Sequence, residues 1–311
     1  MDSDATDGGM AMKEDRLALT VAIPTYRREG VLLDTLRDLM ALQPGPAEIL
    51  VLDQTERHEP ATDEQLAALH AAGRIRWVRL DVPSIPQAMN RGLLEATHDT
   101  VLFLDDDIRP EPELLAAHLA AHQGHGGVLV AGRVIQPWQE GVDFTEETGS
   151  HFAALRAAWV DEFIGCNFSV PRVKALALGG FDENFVKVAY RFEAEFSHRF
   201  RATGGRIWFE PTACLHHLKD AGGGTRTFGN HLTTWRPDHA VGAYYFSLRT
   251  GAFSDFLRRP LRAVVTRHHL RHPWQVFGTL LAELRGMAWA WRLHQAGPRH
   301  VQATRGNGVR T

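Results

Sequence analysis

Four short apolar runs between Leu17 and Asp107 are separated by three stretches of helical spacing, and this alternation restricts the chain more than any other feature. The run "LALTVAIPTY" has the pattern of a buried strand ended by Pro24, and "EGVLLDTLRDLMAL" then places Val31, Leu32, Leu36, Leu39 and Met40 at the helical period. The unit recurs as strand "EILVLDQT", helix "TDEQLAALHAAG" stopped at Gly73, strand "IRWVRLDV", helix "PQAMNRGLLEAT" and strand "TVLFLDDD". Alternation of this kind implies parallel strands joined by right-handed crossovers, so the spacing predicts an α/β, doubly wound, mostly parallel sheet with helices on both faces. Ligands of such sheets bind beyond the carboxyl ends of the strands, where strand order reverses.

The polar residues sit at those ends: Thr25, Tyr26 and Arg27 after the first strand, Asp53 and Gln54 after the second, and Asp105, Asp106 and Asp107 after the fourth. Three adjacent carboxylates raise one another's pKa unless water or a cation accepts their charge. Two readings follow, a solvated turn after a strand or a divalent-metal site, since hard cations prefer carboxylate oxygens. No G-x-G-x-x-G opens a helix after the first strand and no G-x-x-x-x-G-K-[ST] occurs, so neither a dinucleotide fold nor a P-loop is indicated. A bound phosphate would then need a divalent cation bridging it to the carboxylates.

With 311 residues, 44% hydrophobic and 23% charged, the chain reads as one large globular domain or a domain with an appendage. Cys166 and Cys214 lack C-x-x-C spacing and cannot build a disulfide framework, which makes a reduced, cytoplasmic setting the expectation. Residues 1–16 are polar and acidic and read as a disordered lead-in without a secretory signal. The net charge of −3 hides an asymmetry. From Arg249 onward eleven arginines face two acids, Asp255 and Glu283, leaving +9, whereas the first 248 residues carry 23 basic and 35 acidic side chains, or −12. A basic tail can serve nucleic acid, but its leucines and aromatic residues favour an amphipathic surface segment, and no nucleic-acid partner is expected.

Taken together, "VAIPTYRR", "ILVLDQT", "NRGLLEATHDTVLFLDDD" and "GGFDENF" resemble the family 2 glycosyltransferases of the GT-A fold, in that family's order and spacing from about Leu17 to about His217. The resemblance implies that Pro24, Thr25, Tyr26 and Arg27 line a nucleotide pocket, that Asp53 contacts the base, and that Asp105 and Asp107 form a D-x-D motif with Asp106 as its middle residue. Asp107 would coordinate Mn2+ or Mg2+, and Asp105 would face the ribose or the metal's water shell. Asn167 would hydrogen-bond the donor sugar or serve as a turn asparagine. Phe192, Phe196 and Phe200 recur every fourth residue and mark a core-facing helix stripe, with Glu193 and Glu195 off the stripe in the opening turn. Aligning Arg199 with the family's arginine puts Glu193 at the general-base position; relatives usually carry Glu-Asp where this chain has Phe192 and Glu193. Glu195 falls at the family's second acid, and it can instead pair with Arg199 at i, i+4.

His216 and His217 fall where relatives often carry a histidine that completes the metal shell or touches diphosphate. Adjacent residues of an extended segment point opposite ways, so at most one of the two faces the site, and His216 is the expectation. Gly222, Gly223 and Gly224 before Arg226 read as a flap whose arginine reaches phosphate, or as a plain surface loop.

The resemblance implies a metal-dependent inverting transfer of sugar from a UDP, dTDP or GDP sugar to a glycan or lipid-linked acceptor, in cell-surface or secreted glycan or glycolipid synthesis. A non-catalytic nucleotide-sugar-binding protein and a nucleotidyltransferase on a related sheet are the alternatives; the latter usually has a glycine-rich basic loop where this chain has "PTYRREG". The expected organisation is the lead-in at 1–16, a GT-A domain at 17–245 with its nucleotide half at about 17–110 and acceptor-side half at about 111–245, and a basic helical tail at 246–311. Glu283 and Arg285 interrupt the longest apolar run of that tail, so it would rest peripherally on the cytoplasmic face of a membrane rather than cross it.

Overall fold

The computed structural model describes residues 16–142 and 151–301. The expected lead-in, apart from Arg16, lies outside the described residues. The chain begins β1 (Leu17–Thr25), α1 (Gly30–Ala41), β2 (Pro46–Asp53), α2 (Pro60–Ala71), β3 (Arg76–Arg79), α3 (Ile85–Glu95) and β4 (Thr100–Leu104). It continues with β5 (Ile108–Pro110), α4 (Leu114–His125), β6 (Leu129–Ile135), β7 (Ala158–Val160), β8 (Asn167–Pro171), α5 (Arg172–Ala177), α6 (Phe192–Ala202) and β9 (Ile207–His217). Four helices follow: α7 (Val241–Thr250), α8 (Phe253–Val264), α9 (Arg267–Arg271) and α10 (Val276–Ala296).

Among the described residues the sheet has the order β3-β2-β1-β4-β8-β6-β9-β5, with β7 paired to β9. Its first four strands are parallel, as the alternation of helix and strand predicts, and β8 enters antiparallel against β4, with Leu104 opposite Asn167. Chain order reverses between β1 and β4, so a crevice opens at the carboxyl ends of these two strands. The apolar side chains of the central strands alternate between two cores. Ala22, Leu52 and Phe103 pack with the phenylalanines of α6, and Val21, Ile23, Val51 and Leu104 pack under α1. Gly92 lets α3 sit close on the sheet, because a Cβ there would come within 3.0 Å of Leu52 and 3.1 Å of Phe103.

The expected boundary between body and tail at 245/246 falls inside α7, whose Tyr244 and Tyr245 are fully buried. The α10 helix packs on α7: the Tyr244 hydroxyl donates to Glu283 at 2.6 Å, and Gly286 lies against Ala240. The chain then returns along the loop 179–183, where Glu183 N–H donates to Arg299 O and Val301 N–H to Gly179 O. In α8, by contrast, no residue is buried. No helix of the described residues is long and apolar enough to cross a membrane.

Candidate active site

A pocket of about 340 Å³ occupies the crevice, and Pro24, Thr25, Tyr26, Arg28 and all three aspartates reach it. The backbone after β1 decides which arginine enters. Arg27 adopts a left-handed conformation with φ 54°, which sends its side chain outward to Glu56 at 3.1 Å and turns Arg28 inward. Buried Arg28 joins three acids, with Nε 3.2 Å from Asp106, Nη2 3.2 Å from Asp107 and Nη1 2.8 Å from Asp220, and it also donates to Gly222 O. Thr35 of α1 fixes the aspartate turn from beneath, donating to the carbonyls of Asp106 and Ile108.

The aspartates differ by environment. Asp105 is partly exposed, while Asp106 and Asp107 are buried. Burial pushes Asp106 up to about 7, with Arg28 opposing the rise. Burial acts on Asp107 in the same sense but is outweighed by His217, Arg28 and the Asp220 N–H, so its carboxyl is held below the ordinary value. His217 Nε2 lies 3.2 Å from Asp107 Oδ1 and 3.5 Å from Asp105 Oδ2. Cys166 joins them: ligand atoms of Asp105, Cys166 and His217 all lie within 4.8 Å of one another.

Two carboxylates around one imidazole nitrogen form a donor set that suits a divalent cation such as manganese. The Cys166 thiol is a poorer ligand, because burial and then the neighbouring aspartates raise its pKa well above the ordinary value and keep it protonated.

Glu193 approaches from the other side. It sits in the first turn of α6, and its carboxyl lies against Gly165, where a Cβ would come within 2.9 Å of Glu193 Oε1. Gly165 immediately precedes Cys166, so the backbone at 165–166 joins the glutamate to the aspartate–histidine group. Desolvation raises Glu193 to about 7; Asp105 adds to the rise, and its own backbone N–H and Arg191 oppose it. A carboxylate poised there can exchange a proton near neutrality.

Residues 20–168 match the model of glycosyl transferase family 2. That match covers just under half of the chain, and the fold is GT-A-like. No curated protein matches it significantly. Solved structures with the same fold include GalNAc-T7 with UDP, GalNAc and Mn2+, at 13% identity and TM-score 0.60, over 82% of this chain and 53% of that one. The chain therefore spans about half the length of GalNAc-T7. The mannosyltransferase PcManGT from Pyrobaculum calidifontis, in complex with GDP-Man and Mn2+, is 20% identical with TM-score 0.54, over 91% and 79% of the two chains. S. aureus TarS 1-349 with UDP-GlcNAc is 14% identical with TM-score 0.58, over 87% and 82%.

The pocket gathers some of the expected residues and leaves others aside. Pro24, Thr25, Tyr26, Asp105, Asp106 and Asp107 line it, but Arg27 points away. Asp53 is fully buried behind it, bonded to Thr55 N–H, His58 and the Trp77 indole, and neighbouring Gln54 reaches the pocket instead. Asn167 is also fully buried: its amide donates to Arg133 O and Ala213 O, and its oxygen meets His118 at 2.9 Å. These bonds tie β8 to its neighbours and keep Asn167 out of the pocket lining, so a contact with the donor sugar is not what this geometry offers. His118, held by Asn167 and Ser169, is pushed down to about 4 by burial and stays neutral.

The expectation for the histidines is reversed. His217 faces the aspartates, whereas His216 points to the other side of β9, 2.7 Å from Glu140 and 2.8 Å from Glu111. Glu195 is buried and 2.8 Å from Arg199, the i, i+4 pair the spacing offers. Arg226 lies in the turn 224–228, but its side chain falls outside the described residues. Of the loop glycines Gly224 lines the pocket, its N–H donating to Tyr26 O, and a Cβ on Gly223, at φ 61°, would strike Arg27 O. Gln54, read at the end of the second strand, does reach the pocket, whereas sequence reasoning missed Arg28, Cys166 and the pocket lysines Lys187 and Lys219. The doublet Arg27-Arg28 holds the one readable signal, since adjacent side chains diverge.

Proposed function

We propose that the chain moves a sugar from a nucleotide-diphosphate sugar to an acceptor hydroxyl with inversion, using Glu193 as general base and a divalent cation at Asp105, Asp107 and His217. The observation that carries this reading is the approach of Glu193 to the aspartate–histidine group across Gly165 and Cys166. When bound, the cation would offset negative charge on the departing diphosphate. Arg28 holds Asp106 and Asp107 in place beneath it, and Lys187 and Lys219 bring positive charge to the same pocket. Tyr26 and Gln54 stand where the nucleoside would enter.

The acceptor oxygen attacks the anomeric carbon and gives its proton to Glu193, while the bond from that carbon to the phosphate oxygen breaks and its electron pair leaves with the nucleoside diphosphate. A single displacement inverts the centre, and alignment of the reactants supplies much of the rate. The two cysteines are free and buried, which suits a reducing cytoplasm.

Incubation with UDP, dTDP and GDP sugars, with and without Mn2+, tests the proposal by release of nucleoside diphosphate. One donor class should turn over with the metal and stop when it is chelated. Binding without turnover would assign the chain to non-catalytic nucleotide-sugar binding, and pyrophosphate release from a nucleoside triphosphate would assign it to nucleotidyl transfer.

A further inference from the structure

The helices after α7 expose a run of large apolar side chains, the kind of patch that marks an interaction surface. On α8, Phe253, Leu257 and Leu261 recur every fourth residue and continue to Val265, standing 61%, 74%, 66% and 69% exposed. Leu270 on α9, Trp274 before α10 and Phe277 within it extend the exposure at 81%, 65% and 79%. The opposite side of α8 is polar: Asp255, Arg259 and Arg262 line a cavity of about 540 Å³ enclosed with α7 and α10, away from the aspartates.

Charge indicates what covers the apolar stripe. Arg258, Arg267 and Arg271 are exposed among these residues and form no ion pair with a carboxylate among the described residues. Of the two acids in the region, Glu283 is buried against Tyr244 and Arg259, and Asp255 is paired with Arg262. The outward face is therefore apolar with unmatched positive charge. A second copy of the same face would set arginines against arginines, which disfavours a symmetric dimer. A lipid surface with anionic headgroups satisfies both features at once, as amphipathic interfacial helices do.

We propose that α8, α9 and the first turns of α10 form a docking face for an anionic lipid bilayer, with Phe253, Leu257, Leu261 and Phe277 entering the acyl boundary and Arg258, Arg267 and Arg271 meeting headgroup phosphates. The inference does not depend on the transferase reading. Docking would also bring the arginine-lined cavity behind α8 close to the lipid surface.

Flotation of the full chain with vesicles tests it. Equimolar phosphatidylglycerol and phosphatidylcholine vesicles should carry the protein upward, pure phosphatidylcholine should not, and high salt should release it. Each exposed arginine changed to glutamine should weaken vesicle affinity about fivefold. The Leu257→Glu/Leu261→Glu double variant should stay at the bottom with an unchanged melting temperature; if it melts early, the Arg258→Gln/Arg267→Gln pair carries the test. Absence of flotation with anionic vesicles, or equal flotation with neutral ones, would overturn the proposal. So would a wild-type dimer that the double variant converts to monomer, since a second copy would then own the face.

Discussion

Asp105 and His217 stand with Cys166 at the pocket, and Asp182 and Glu195 stand with His300 beneath the last described residues; in each group the ligand atoms lie within 4.8 Å of one another. The second group is enclosed by the chain's own cations and donors. Arg199 holds Glu195 at 2.8 Å, Arg249 lies 3.8 Å from Asp182 and 3.9 Å from Glu195, and the Tyr245 hydroxyl donates to Asp182 at 2.7 Å. The returning segment covers it, with Arg299 N–H on Asp182 and His300 against Gly179. In the first group Arg28 takes Asp106 and one oxygen of Asp107, while Asp107 Oδ1 and Asp105 Oδ2 face His217 at the edge of a pocket. Similar ligand chemistry is thus closed over by arginines and backbone in the second group and left beside a cavity in the first, the arrangement the proposed metal site needs.

The contrast should break most visibly at the two glutamates of α6. Glu193→Gln should lower kcat by about a thousandfold while leaving donor affinity intact, the scale of lost general-base assistance. Glu195→Gln should leave kcat of the folded enzyme near wild type yet cost about 3 kcal/mol in urea denaturation, because Arg199 keeps its buried charge without a carboxylate partner. Activity losses in the opposite order would place the base in the second group.

His217→Ala should weaken Mn2+ affinity about tenfold or more by calorimetry, and His216→Ala should leave it unchanged. Equal losses would mean that neither histidine belongs specifically to the site.

The smallest effect is a slope. With Glu193 raised to about 7, kcat/KM should fall about tenfold per pH unit below that value as the base is protonated. The sign on stability is opposite. A carboxyl whose pKa is higher folded than unfolded favours the fold below its unfolded value, and that contribution is lost as pH rises through about 7. Glu193→Gln should remove both dependences, and an unchanged pH profile would assign them to another group.

The parallel half of the sheet is legible in the sequence because β1, β2 and β4 are buried on both faces and the helices between them are not, which writes period and composition together from Leu17 to Leu104. The aspartate turn is legible because charge directly after a buried strand marks a carboxyl end. The arginine is not, since one left-handed residue at Arg27 exchanges it for Arg28. The histidine is hidden by a register shift in β9, where Gly132 faces Glu210 and Arg133 faces Cys214, so alternation cannot be counted through to His217. Asp53 and Asn167 mislead because residue type does not reveal how many donors a fold brings to a buried side chain. The tail's amphipathic character is readable, but its division between packed α10 and exposed α8 depends on contacts with α7 that no local pattern encodes.

The central claim is that the Asp105–Asp107–His217 group binds a nucleotide through a metal and the Asp182–Glu195–His300 group does not. Calorimetric titration of UDP and GDP with and without Mn2+ tests it in the wild type, Asp107→Asn and Asp182→Asn. Metal-dependent binding of at least one nucleotide is expected, weakened at least about a hundredfold in Asp107→Asn and retained by folded Asp182→Asn. Manganese-dependent affinity that survives in Asp107→Asn, or disappears equally from folded Asp182→Asn, would contradict it.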